Sequence, residues 1–245
     1  MRITNTKEKE SKMRMELTTI DDVKANKITI KTSQTEKMPW ESWDLPAWLC
    51  QTGSKLVKVK GSICNGCYAL KGRYIFGSKK KADLARMEQI GGSLQDWQDS
   101  FIEYFQAKLK RLKQEKRYFR WFTSGDLQSV DMLLAIANIA KAVPEIKFWL
   151  PSKEHGMIRE YQSLYGEFPA NLIVRASMFM VDQVPSSGLG LPTSTVISTP
   201  VNADIRHENV CPASLRSFNG EAKVNCDDCR KCWDKDYKNV AYIYH

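Results

Sequence analysis

The sequence predicts an α/β protein built on a parallel sheet, and three features carry that prediction. From residue 118 onward, short apolar runs of strand length alternate with longer stretches of helical periodicity. Several runs end in polar turns, such as Ser124-Gly125-Asp126 and Pro151-Ser152-Lys153-Glu154-His155, ahead of the next helix. Repeated strand, polar loop and helix make βα units, whose right-handed crossovers lay the strands side by side in parallel. The composition agrees: 42% hydrophobic and 27% charged residues belong to a chain with a packed core, not a disordered one. A length of 245 residues fits one large domain or a domain with an appendage.

Residues 1–37 are polar, with one strand predicted where Lys27-Ile28-Thr29-Ile30-Lys31-Thr32 alternates. Residues 38–78 are rich in Gly, Pro, Trp and Cys and read as an irregular segment. Helices follow over 79–92 and 94–116, with Ser93 as N-cap of the second. Its stripe of Leu94, Trp97, Phe101, Tyr104 and Phe105 has helical spacing and marks a core face. Tyr118–Thr123 is a strand, Val130–Val143 a helix closed by Pro144, Lys147–Leu150 a strand and Gly156–Tyr165 a helix. Leu172–Ser177 and Thr195–Thr199 complete the strands of a core spanning 38–200. Residues 201–245 depart from the pattern and read as a cysteine-rich cap on the same domain.

No apolar run approaches the roughly 18 residues that span a bilayer. The longest candidate, 130–143, is broken by Asp131 and Lys141. With no apolar signal core at the N-terminus, the expectation is a cytoplasmic protein without membrane contact. The net charge of +9 is concentrated. Lys55 to Lys81 holds eight Lys or Arg and no acid, and Lys108 to Arg120 holds seven against Glu115 alone. Such clusters suit a nucleic acid or nucleotide partner, or else form a solvated face.

Seven cysteines in a reducing setting point to metal rather than disulfides. Cys50, Cys64 and Cys67 form one group, C-x13-C-x2-C. Cys211, Cys226, Cys229 and Cys232 form another, C-x14-C-x2-C-x2-C. Three cysteines in seven residues resemble a bacterial ferredoxin loop, and Cys211-Pro212 adds its Cys-Pro. Zinc, which favours paired C-x2-C knuckles, is the alternative. A three-thiolate 4Fe–4S cluster leaves one iron open to substrate, whereas zinc would need a fourth ligand. All seven thiols on one larger assembly is a further arrangement the spacing permits. Among the histidines, His155 lies at a predicted strand end, His207 near the second cysteine group, and His245 is the last residue. With Asp126 and Lys153, His155 completes the candidates for acid–base work.

Several stretches together carry a family resemblance: Cys64-Asn65-Gly66-Cys67-Tyr68-Ala69, Arg120-Trp121-Phe122-Thr123-Ser124-Gly125-Asp126 and Phe148-Trp149-Leu150-Pro151-Ser152-Lys153-Glu154. Val174-Arg175-Ala176-Ser177 and Cys226-Asp227-Asp228-Cys229-Arg230-Lys231-Cys232-Trp233 continue it. In this order they resemble the bacteriophage gene product 88 family over residues 38–245. That family in turn looks like a distant relative of radical S-adenosylmethionine (SAM) enzymes. The resemblance implies a partial (β/α) barrel with a cysteine-rich C-terminal cap. It implies that Cys50, Cys64 and Cys67 hold a 4Fe–4S cluster and that SAM binds its open iron. Ser124, Gly125 and Asp126 would occupy the place of the SAM-binding turn. Arg175 and Ser177 would contact SAM, and the last four cysteines would hold an auxiliary cluster. The first cysteine gap of thirteen residues, against the usual three, departs from the superfamily. The expected function is an iron–sulfur protein, either a radical-SAM-like or redox enzyme on an anionic substrate or a non-catalytic binder of nucleic acid or a host protein.

Overall fold

The computed structural model describes residues 28–35, 37–201, 209–221, 225–226 and 228–244. Its strands are β1 (Ser33–Gln34), β2 (Glu41–Trp43), β3 (Tyr118–Trp121), β4 (Lys147–Ser152), β5 (Leu172–Ser177), β6 (Thr193–Ile197), β7 (Asn209–Val210) and β8 (Asn239–Ile243). They form an eight-stranded sheet in the order β1-β2-β3-β4-β5-β6-β8-β7. Every pairing is parallel except β1 with β2. The helices are α1 (Gln51–Leu56), α2 (Gly77–Gly91), α3 (Leu94–Leu109), α4 (Val130–Ala142), α5 (His155–Tyr165) and α6 (Pro212–Phe218). None among the described residues is long and apolar enough to cross a membrane.

Local chemistry sets the helix starts. The Ser93 hydroxyl accepts from the Asp96 amide at 3.1 Å, and Ser129 caps α4 through the Met132 amide at 3.0 Å. The crossover helices bury one face of the sheet. Trp97, Phe101 and Phe105 of α3 meet Trp43, Phe119, Trp121 and Phe148 from the strands in one aromatic core. Most of the rings pack tilted or edge-to-face, as Trp43–Trp97 at 5.3 Å and Phe101–Trp121 at 5.1 Å do, while Trp121 and Phe148 stack. The opposite face is covered by the C-terminal cysteine segment. There Trp149 and Val240 pack with Cys232 and Trp233, whose indole donates to the Phe119 carbonyl at 2.8 Å. A sheet buried on both faces explains strands that read as continuous apolar runs.

The structure corrects several expected elements. Ile28–Thr32 is not a strand; the sheet edge is Ser33–Gln34 instead, and Lys27 lies outside the described residues. The alternation there serves helix packing. The Ile28 amide donates to Ser100 Oγ, Arg86 Nε to the Lys31 carbonyl, and both isoleucines pack on the core. The segment 38–78 is more regular than expected, since it contributes β2 and α1. The helix expected over 94–116 stops at Leu109. The strand expected at 195–199 begins at Thr193. Residues 201–245 also do more than cap: β8 is a full member of the sheet beside β6.

Candidate thiol sites at the strand ends and on the capped face

The parallel strands end together, and the chain between β2 and α2 lies across those ends. Directly after β2, Leu45 and Ser124 are bonded by amide to carbonyl at 3.0 Å, and the Ser124 hydroxyl reaches the Leu45 carbonyl at 3.0 Å. This close approach requires Gly125, which has φ +81°. A Cβ there would stand 2.7 Å from the Leu45 carbonyl oxygen. Gly125→Ala is therefore expected to cost about 3 kcal/mol, adding left-handed strain to a backbone overlap; urea unfolding checks it.

The first cysteine segment is tied down at several strand ends. The Thr52 amide and hydroxyl both donate to the Glu154 carboxylate, at 2.8 and 2.7 Å, fixing α1 against the end of β4. The Ile63 amide donates to the Phe179 carbonyl and the Val181 amide to the Gly61 carbonyl, both at 2.9 Å, beyond the end of β5. Tyr68 donates its hydroxyl to the Thr123 carbonyl after β3. Tyr244, just past β8, rests on Gly66, where any Cβ would overlap its hydroxyl. A Cβ on Gly53 would lie 3.6 Å from the Cys64 sulfur and 3.7 Å from that of Cys50, so both thiols share the bare backbone there. Burial pushes the Cys50 thiol far up, with Asp126, Cys67 and Cys64 adding to it and Lys153 opposing. Cys64 is raised by burial against the pull of Lys153.

The structure gathers Ser124, Gly125, Asp126, Lys153, His155 and Ser177 at these ends, but most of them already have protein partners. Asp126 Oδ1 accepts from the Leu127 amide at 2.8 Å and from Ser152 Oγ at 2.6 Å, while Oδ2 accepts from the Lys153 amide at 2.9 Å. Burial pushes its carboxyl up to about 6 against those hydrogen bonds. It staples the β3 loop to the β4 loop. His155 Nε2 lies 3.0 Å from the Ser177 carbonyl; burial holds the ring below its ordinary pKa, so the neutral tautomer donates there. The Ser177 hydroxyl pairs with Ser194 at 2.9 Å. Lys153 contributes its charge to Cys50, Cys64 and Asp126.

Arg175 is set apart from this group. All five of its N–H donors are spent on the carbonyls of Thr193, Lys231, Cys232, Asp234 and Tyr237, at 2.6–3.2 Å. No donor remains for a ligand. Its task is to hold the segment that carries Cys232.

The second group converges on the capped face. The Cys211 amide bonds the Ala241 carbonyl at 2.8 Å, and the Cys226 amide bonds that of Lys37 at 2.8 Å. The Cys232 sulfur lies 3.0 Å from the Tyr242 hydroxyl. Burial, then Cys211 and Cys229, push Cys226 up to about 11; burial pushes Cys232 up to about 12. Arg120 supplies countercharge to Cys211 and Cys226. Its guanidinium stacks 4.4 Å from the Trp149 ring centroid and donates to the Phe122 carbonyl at 2.9 Å. A shallow cavity of about 310 Å³ opens beside Cys229, Arg230 and Lys231.

All seven cysteines are free of disulfides. Among the described residues, no group of three or more His, Cys, Asp or Glu is placed so as to hold a metal ion. His207 and His245, with Asp227, lie outside the described residues. Sequence reasoning missed the roles of Thr52, Glu154 and Tyr244. Glu154 could have been singled out as a carboxylate at a strand end; nothing in the sequence pairs it with Thr52.

Fold and site together define a cysteine-rich α/β protein with two thiol groups, one across the strand ends and one under the sheet. The chain belongs to the Gene product 88 family, whose family model matches residues 7–235. No curated protein matches it, and no solved structure does.

Proposed function

We propose that the protein is an iron–sulfur protein, with Cys50, Cys64 and Cys67 as one cluster site and Cys211, Cys226, Cys229 and Cys232 as another. The observation that carries the reading is the gathering of the first three thiols over the ends of the parallel strands, on the chain that runs from β2 to α2. The donor set suits a cluster better than a single ion. Zinc draws its sulfurs to within about 3.8 Å of one another, given tetrahedral bonds of about 2.3 Å. A cluster spreads its thiolates over separate irons, and three cysteines in seven residues, with Cys211-Pro212 before them, resemble the spacing of such loops.

The parallel order β2-β3-β4-β5-β6-β8 is compatible with the partial (β/α) barrel that the resemblance to radical SAM enzymes implies. A 4Fe–4S cluster held by three thiolates supplies an iron with an open position for a cosubstrate such as SAM, and one electron. Around that position the chain's own groups would act as follows. Lys153 balances thiolate charge, Glu154 and Asp126 hold the loops in register, and the exposed cations of 55–81 draw in an anionic substrate. Arg120 plays the matching part for Cys211 and Cys226 of the second group.

A non-catalytic iron–sulfur binder is the second reading. It is favoured by the strand-end polar groups, which already spend their hydrogen bonds on the protein. The deciding measurement is iron, sulfide and zinc per chain after anaerobic purification, with EPR of the reduced sample and a SAM cleavage assay. Iron with matching sulfide is expected. Cys229→Ala is expected to lose one share of that iron and Cys64→Ala the other, each leaving the second site loaded. Zinc without iron would overturn the cluster reading, and iron without SAM cleavage would leave the binder in place.

A further inference from the structure

We propose that the surface running from Trp48 to Lys81 is a platform for single-stranded nucleic acid. The inference stands on exposure and charge, independently of what the cysteines hold. Of the eight cations between Lys55 and Lys81, only Lys79 turns inward; the others are exposed, and no acidic residue interrupts them. Large apolar groups lie exposed among these cations: Tyr68 at 52%, Ile75 at 49% and Phe76 at 60%. Among the described residues nothing covers them, although this stretch carries eight cations and no acid. Such an interleaving suits a polyanion that also offers flat apolar faces.

The rings are held ready for stacking. The Tyr68 hydroxyl is fixed on the Thr123 carbonyl and its ring meets that of Tyr74 in an edge-to-face pair at 5.4 Å, yet the residue stays half exposed. Lys80 lies 5.8 Å over the Trp48 ring, which places a cation and an indole side by side. Stacking needs unpaired bases, because a duplex hides its base faces, so the rings select a single strand. The surrounding lysines would track its phosphates. Tyr68 directly follows Cys67, so a base stacked there would sit at the edge of the first thiol group. The second basic segment does not extend this surface. Lys110, Arg111, Lys113 and Lys116 precede β3, at the opposite end of the sheet, while Lys108 pairs with Glu41 at 3.1 Å.

The test is fluorescence anisotropy on the full chain with a labelled mixed-sequence 15-nucleotide single strand, as DNA and as RNA, the matching duplex, and heparin as competitor. The single strand is expected to bind more tightly than the duplex, with affinity falling steeply with salt. Phe76→Ala should weaken binding roughly tenfold, as loss of one stacked base does. Lys80→Ala with Lys81→Ala should lower the salt slope by roughly one to two. Lys113→Ala with Lys116→Ala, at the far end of the sheet, should change neither. No binding at 50 mM salt, equal affinity for duplex, complete displacement by heparin at equal charge, or indifference to Phe76→Ala would each overturn the proposal. Iron measured on the same samples separates this outcome from failure of the cluster reading.

Discussion

Replacing Arg175 by methionine is expected to cost at least about 4 kcal/mol and to release the second cysteine group. Methionine has similar bulk but no donor. Five carbonyls, buried or partly buried, would lose the Arg175 donor at once, and an unsatisfied buried polar group costs about 1–3 kcal/mol. Four of those carbonyls belong to residues 231–237, so the damage concentrates where Cys232 is held. Chemical denaturation should show the loss. Thiol labelling of the native variant should show Cys229 and Cys232 reacting well before Cys64. Arg175→Lys is expected to recover little of this, because an ammonium cannot span five carbonyls with three protons.

Lys79→Met is expected to cost about 3–5 kcal/mol at pH 7, whereas Lys80→Met should fall within about 0.5 kcal/mol of the parent. The two neighbours look alike in sequence. Lys79 alone enters the core edge, 3.4 Å from Asp44 and 2.5 Å from Asp83, while Arg86 holds Asp83 from the other side at 2.9 Å. Burial opposes the charge on Asp44, but Lys79 and the Thr123 hydrogen bonds outweigh it and hold the carboxyl below its ordinary value of 3.8. A depressed carboxylate stabilises the fold above its unfolded pKa, and that contribution fades as pH falls through the folded value. Asp83, raised chiefly by burial, runs the other way and partly offsets it. The gap between parent and Lys79→Met should therefore be wide at pH 7 and narrow toward pH 3. A gap independent of pH would mean that Lys79 acts through packing alone.

The α/β alternation was legible because β4, β5 and α4 are long enough to show their period, and because Ser93 and Ser129 are ordinary caps. The strand ends were legible for the same reason: polar residues cluster where apolar runs stop. β2 was not, since three residues between two prolines carry no period. Without it, the strand predicted nearest ahead of Cys50 is the one at 27–32, whereas Cys50 follows Trp43 closely. β8 was hidden by the cysteines before it. The apparent strand at 27–32 shows the converse, because an alternating segment can satisfy its pattern against helices. The two thiol groups were legible from spacing. What Asp126 and Arg175 do was not, because a polar residue at or near a strand end looks the same whether it faces a ligand or laces loops together.

The rest of Tyr244 on Gly66 has a consequence for assembly. Most of the chain separates the two residues, and β8 must slot in beside β6 before they can meet. A polypeptide growing from its N-terminus exposes residues 50–67 long before their final neighbour has been made. Pairings this remote in sequence close slowly, so the loop that carries Cys64 and Cys67 gains its Tyr244 contact only after β8 has docked. Maturation of that loop is then a late event, governed by the arrival of the last strand rather than by the loop itself.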